Sequence, residues 1–412
     1  MFKASLIYLA SSLFNKMVPF LLLPILTRYL SPSEYGMIAL IQVFIAFFQS
    51  LQGGLNSNIP RKYFNLTQKQ FSMYMSAIVM VLLCFFGFSI LVSLVHLSSG
   101  LSLFGLESNW YLAMPVVACM SMANLLNLTL LRTQEKPFQY AAWEISHTIL
   151  NLLLSLLLVI YFHSGWEGRA IGITTPIVIY GFLGLIAMRL QKALSFNWQW
   201  LDVKEILSVS IPLIPHALAA VVITLIDRLF IAEILGEESV GIYSVGYQFG
   251  MVVMIFTDAF LKAWQPWFFK KLANNNMDNK LNIVRNTRYY ILTLMVGAVI
   301  YALVAEWLLP FVVDERYYEA AGVIFPVAVS YIFYGIYQII FPYLVHANKT
   351  HVLALVTPMA ALLNIGLNLL LIPRYGIAGA AYATIAAYAT SCCLVFFYSN
   401  KYSPMPWAMK AK

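Results

Sequence analysis

The sequence predicts an all-α polytopic membrane protein with twelve transmembrane helices, and three observations carry that prediction. Of 412 residues, 61% are apolar and 10% charged, and the mean hydropathy is +0.78; a soluble chain averages roughly 45–50% apolar and about 25% charged. The apolar residues run in blocks of about 20, the length that carries a helix across roughly 30 Å of hydrocarbon. Those blocks do not alternate as the strands of a membrane barrel would. A water-soluble fold is excluded, because a chain of this length needs charge to cover its surface.

The first block, 5–26, follows a single lysine, Lys3, and contains Lys16, Pro19 and Pro24. It is long enough to span and lacks a small-residue cleavage site, so it reads as a retained helix rather than a signal peptide. The next five blocks are 36–54, 72–97, 110–131, 141–162 and 170–189. After a polar stretch come 206–230, 240–262, 288–312, 320–345, 352–372 and 378–399. Prolines such as Pro115, Pro176, Pro212, Pro215 and Pro358 interrupt these spans, as membrane helices tolerate. The longest connection, 263–287, reads as a loop.

Charge sets the orientation. The formal charge of +8 is not gathered into a run, so it implies no nucleic-acid partner. Nineteen of the 25 Lys and Arg fall on the side of the termini, Arg28, Arg169, Arg316 and Arg374 on the other, and Lys16 and Arg228 within spans. Positive loops stay in the cytoplasm, which places both termini there. Cys84, Cys119, Cys392 and Cys393 lie in apolar segments without metal-ligand spacing, so they read as reduced packing residues, and neither metal nor cofactor is expected.

A weak internal repeat divides the chain into 1–205 and 206–412, each with six helices. Leu30 to Gly36 aligns with Leu235 to Gly241 at an offset of 205, and Pro60 with Pro266 at 206. Lys136 and Asn151 match Lys349 and Asn364 at 213, and Gly165-Trp-Glu-Gly168 matches Gly376-Ile-Ala-Gly379 at 211. Six helices per half give both halves one orientation, so the repeat is parallel and predicts two six-helix lobes around a central cavity.

Arg28-Tyr-Leu-Ser-Pro-Ser-Glu-Tyr-Gly36 resembles the helix 1 to 2 signature of the Wzx family of bacterial polysaccharide flippases. Asp227-Arg228, with Leu235-Gly236 and Gly241-Ile-Tyr-Ser-Val-Gly-Tyr247, resembles that family's helix 7 to 8 motif. Val240 stands where the first copy has Tyr35, so the second copy is looser. The resemblance spans nearly the whole chain. It implies a superfamily that also holds multidrug exporters and the lipid II flippase, with a V-shaped alternating-access fold in the bacterial inner membrane. It further implies a lipid-linked oligosaccharide such as an O-antigen unit as substrate. Proton or sodium would be the coupling ion, and a polysaccharide polymerase and chain-length regulator would be partners.

Polar residues within spans are the candidate site, since a charge at membrane depth costs a few kcal/mol and usually faces a cavity or a partner. Lys16, about ten residues or roughly 15 Å into helix 1, reads as a cavity cation or as a snorkelling amine. Asp227 and Arg228 are adjacent and point about 100° apart, so each needs another partner, either an interhelical ion pair or an anionic substrate. Asp258, four residues before Lys262, reads as half of a local pair or as a coupling acid. Gln42, Gln49, Gln52 and Asn56 follow helical spacing on helix 2, and Asn364 and Asn368 share a face of helix 11. These amides either line a wet cavity or bond between helices. His216, after Pro215, reads as a satisfied polar residue in a kinked helix.

The function expected is therefore that of a flippase, not an enzyme. A sugar headgroup and its phosphates cannot shed hydration into hydrocarbon, so they require a polar path while the lipid tail stays in the bilayer. Lys16 and Arg228 would attract the pyrophosphate. One alternative is a cation-coupled multidrug exporter, expected to carry more cavity acids than Asp227 and Asp258. Another is a membrane polysaccharide polymerase or lipid-linked glycosyltransferase, which should show a large periplasmic loop or a paired-carboxylate site.

Overall fold

The structure, a computed structural model, describes residues 2–98, 108–195, 197–273, 276–347, 349 and 351–407. Among these residues all the regular secondary structure is helical, and eleven helical stretches are long and apolar enough to cross a membrane. The expected span 5–26 falls on α1 (Phe2–Tyr29), within which Met17–Tyr29 is a shorter apolar helix. The chain divides into two compact units, Met1–Val221 and Val222–Lys412, with the boundary inside a continuous helix rather than in the preceding polar stretch.

In the first unit, α1 is followed by α2 (Pro32–Ser50), whose start shows why the Ser-Pro-Ser-Glu sequence sits there. Ser31 is the N-cap: its Oγ accepts from the Glu34 amide at 3.3 Å, while the Glu34 carboxylate accepts from the Ser31 amide at 2.8 Å. Pro32 fills the first helical position, where no intrahelical donor is needed. The helix ends at Ser50 and residues 51–58 form turns, so Gln52 and Asn56 lie off the helix on which their spacing placed them. The spacing rule fails there because it presumes a helix that Gly53 and Gly54, the latter at φ +85°, do not continue.

A short α3 (Ile59–Asn65) precedes α4 (Gln68–Ser98), α5 (Ser108–Thr133) and α6 (Pro137–Leu156). A π-helical turn, Leu157–Tyr161, ends the α6 span. Next come α7 (Gly165–Leu190) and α8 (Trp200–Leu225). The core joins Phe71, Tyr74 and Ile78 of α4 to Leu126 of α5 and Ile206 of α8. Lys62 closes it at one end with an ion pair to Glu205 at 2.6 Å.

The second unit takes the end of α8, then α9 (Asp227–Leu235), α10 (Glu237–Gly250), α11 (Val252–Ala273) and α12 (Met277–Val312). A 3₁₀ turn, Glu315–Ala320, leads into α13 (Ala321–His346), α14 (His351–Tyr375) and α15 (Ile377–Tyr402). Helix α13 packs on α10, α12 and α15. The core gathers Trp264, Phe268, Tyr343 and Val395.

Two expectations are corrected. Span 206–230 is two helices that break at Ile226, and the 263–287 loop is largely helix. The 36 residues of α12 run about 54 Å, well beyond the hydrocarbon thickness. Its first turns are polar because they need not be buried in lipid, and a hydropathy pattern cannot register them.

Candidate functional site

Each unit holds a buried arginine, and the two are satisfied in opposite ways. In the second unit Asp227 and Arg228 are 1% and 6% exposed. The expectation that adjacent residues could not pair is corrected. Because the helix breaks at Ile226, Asp227 starts α9, and its Oδ1 accepts from the Arg228 backbone amide at 2.8 Å. The same oxygen accepts from Arg228 Nη1 at 2.9 Å, and the guanidinium also reaches back to the Thr224 carbonyl at 3.0 Å. Tyr243 donates its hydroxyl to Asp227 Oδ2. The guanidinium lies over the Tyr247 ring at 4.4 Å and the Tyr243 ring at 5.5 Å. Tyr247 in turn shares a 2.8 Å hydrogen bond with Tyr331. A carboxylate and an aromatic wall thus balance the Arg228 charge inside the unit.

In the first unit α1, α5, α6 and α7 enclose a cavity of about 330 Å³ whose polar lining includes Asn15, Asn124, Glu144, His147, Thr148, Asn151 and Arg169. Arg169, expected in a loop, is 7% exposed and lies one turn into α7. A Cβ on Gly172 would overlap Ser155, so the glycine lets α7 approach α6 closely enough for Arg169 to reach it. Its Nη1 donates to Ser155 Oγ at 2.5 Å and to Asn151 Oδ1 at 2.8 Å. Thr148 Oγ1 donates to Asn15 Oδ1 at 2.6 Å, and Tyr140 donates to Glu144 at 3.0 Å. Trp143 Nε1 donates to Asn124 at 2.7 Å and faces a second cavity of about 360 Å³, lined also by Asn127, Gln139 and Gln191. Asn127 is fully buried, and its amide atoms have no hydrogen-bond partner among the described residues.

The remaining expected residues are dispersed. The Lys16 side chain lies outside the described residues. Gln49 donates to Ser121 Oγ at 2.9 Å, an interhelical bond, and Asn56 is half-buried in the turns after α2. Asn364 and Asn368 are fully buried and bond to each other along α14 at 3.0 Å, rather than between helices. Asp258 lies 3.5 Å from the Tyr334 hydroxyl, which accepts from Gln338 at 2.6 Å. Glu144 and His147 were not anticipated, yet the signal was present: Glu144, His147, Thr148, Asn151 and Ser155 recur at three- and four-residue spacing, a polar stripe on one face of α6.

Among the described residues, an all-helical architecture with eleven helices long and apolar enough to cross a membrane defines the class of multi-pass membrane proteins. Residues 1–272 match the family model for polysaccharide biosynthesis protein, and the chain belongs to that family, within the superfamily of multidrug, oligosaccharidyl-lipid and polysaccharide exporters. The MatE family model matches 212–370. An Lsg locus protein of Haemophilus influenzae is 26% identical over 280 residues, 67% of this chain and 68% of its own. A membrane protein of the same organism is 25% identical over 77% of this chain and 78% of its own. Two solved structures share the fold. One is an inward-facing multidrug resistance MATE family transporter, with TM-score 0.74 and 12% identity over 94% of each chain. The other is the lipid II flippase MurJ, with TM-score 0.73 and 15% identity over 97% of this chain and 87% of its own. These two neighbours are themselves a transporter and a flippase.

Proposed function

We propose that the protein is a twelve-helix flippase of the bacterial inner membrane. It moves a polyprenyl-pyrophosphate-linked oligosaccharide, an O-antigen or related repeat unit, from the cytoplasmic to the periplasmic leaflet by alternating access of two six-helix halves. The observation that supports this reading over drug export is the cavity of the first unit. Its polar lining of amides, a hydroxyl, an imidazole and a guanidinium, with one carboxylate in Glu144, offers sugars and phosphates the hydrogen bonds they lose on leaving water. Lys16, Gln49 and Asn56 of the first unit and Asn364 and Asn368 of the second are proposed as secondary substrate contacts, and Asp258 as a proton or sodium site. The Asp227–Arg228 pair is assigned to holding α9 in place.

The test is reconstitution in vesicles with a fluorescent short-chain polyprenyl-pyrophosphate oligosaccharide, scored by an impermeant quencher. A potassium-diffusion potential, positive on the side reached, should speed transfer, because each negative charge moved gains about 2.3 kcal/mol per 100 mV. Transfer no faster than in protein-free vesicles, with uptake of a lipophilic cation instead, would establish the exporter reading.

A further inference from the structure

We propose that the cavity of the first unit is an anion site in which the guanidinium of Arg169 holds a phosphate-class group. The guanidinium is 7% exposed and has five N–H donors, but its hydrogen bonds run from Nη1 alone, to the neutral oxygens of Asn151 and Ser155. Among the described residues no carboxylate lies within 4.0 Å of it, whereas Arg228 has one at 2.9 Å. A buried cation with only neutral partners is costly, and its unused donors match the oxygens of a phosphate. Glu144, in the same cavity, sits two helical turns before Asn151, or about 10 Å along α6, and the Glu34 carboxylate lies at Gly165, one turn before Arg169 on α7.

The internal repeat supplies an independent comparison. The offset of 213 that pairs Asn151 with Asn364 also takes Ser155 to Asn368, and the offset of 211 that pairs Gly165 with Gly376 takes Arg169 to Ala380. Gly165 and Gly376 both have positive φ, at +54° and +59°. At the second-unit positions the two amides bond to each other and Ala380 is fully buried. The first unit carries a cation where its counterpart has two buried amides and an alanine. A merely structural role would need no charge at that place.

This inference rests on the flippase reading only for the source of the anion, which is the pyrophosphate of the lipid-linked substrate. The test uses the full chain in phosphatidylcholine nanodiscs, with Cys84, Cys119, Cys392 and Cys393 replaced by alanine and a reporter Pro19→Cys at the cavity rim. Alkylation of the reporter is followed with geranylgeranyl pyrophosphate, inorganic pyrophosphate, or phosphatidylglycerol added to the disc. Geranylgeranyl pyrophosphate should protect the reporter, with Arg169→Met weakening that protection about tenfold to a hundredfold and Arg169→Lys less. Protection by inorganic pyrophosphate or phosphatidylglycerol alone, lost in Arg169→Met, would support the site with a free anion or a headgroup as occupant, and would count against the flippase reading. Equal protection in Arg169→Met would overturn the site and leave that reading standing. Should Arg169→Met fail to accumulate, the reporter in the Arg169 chain decides, since no protection by any of the three anions overturns the proposal.

Discussion

Asp227→Asn isolates the electrostatics of the second unit. The carboxylate accepts from the Arg228 amide at 2.8 Å, from Arg228 Nη1 at 2.9 Å and from the Tyr243 hydroxyl, at a site where Asp227 is 1% exposed. The amide keeps one acceptor oxygen and the shape but removes the negative charge, so Arg228 remains buried without a counter-ion. Losing one partner of a buried ion pair costs about 3–5 kcal/mol, or roughly two to more than three decades in the folding equilibrium. Asp227→Asn with Arg228→Met removes both charges and should recover most of the loss, because a neutral pair carries no desolvation penalty of that size. Tyr243→Phe should cost about 1.5–3 kcal/mol for one hydrogen bond to a charged group. Denaturant unfolding of the detergent-solubilised protein, followed by tryptophan fluorescence, measures all three against the unmodified chain. A double variant as unstable as Asp227→Asn alone would refute the claim that Asp227 exists to balance Arg228.

Two further outcomes are expected. A cysteine at Asn276, between α11 and α12, should resist an impermeant thiol reagent in intact cells while one at Ser164, between α6 and α7, reacts, because the Lys and Arg bias puts the first inside; the opposite pattern would invert the topology. Gly165→Ala should destabilise the chain by at least about 1–2 kcal/mol in the same unfolding assay, because φ is +54° and the new methyl would meet the Glu34 carboxylate; an unchanged midpoint would show that the turn relaxes freely.

Composition and block length carried the fold class, because hydrocarbon accepts only backbones that satisfy themselves, and few sequences are apolar in blocks of 20 for another reason. The same method could not place helix that leaves the membrane, and so took the first turns of α12 for a loop. At the site, charge inside a span was legible, but charge at its margin was not. Arg169 stands one residue outside the block 170–189 and was assigned to a loop, although the turn at Gly165 starts α7 earlier and draws it under cover. Glu144 stands near the start of its block, and nothing in the span pattern singles it out. Pairing was the other blind spot. Spacing on an ideal helix points Asp227 and Arg228 about 100° apart, yet beside the turn that breaks the helix at Ile226 the long guanidinium reaches the carboxylate of its neighbour.

That break explains why the arginine most visible in the sequence is the less available one. A guanidinium in low dielectric attracts whatever negative charge can reach it, and the end of α8 delivers one from the adjacent residue before any ligand arrives. Two tyrosine rings then cover the cation, so an entering phosphate would first have to separate an ion pair and displace aromatic walls. Arg169 imposes neither cost. Two hydrogen bonds to neutral oxygens orient it, each charge-assisted and worth about 1.5–3 kcal/mol, but neither brings an opposite charge to the buried cation. That opposite charge is what an anion entering the cavity would supply, whereas the cation of the second unit already has one at 2.9 Å.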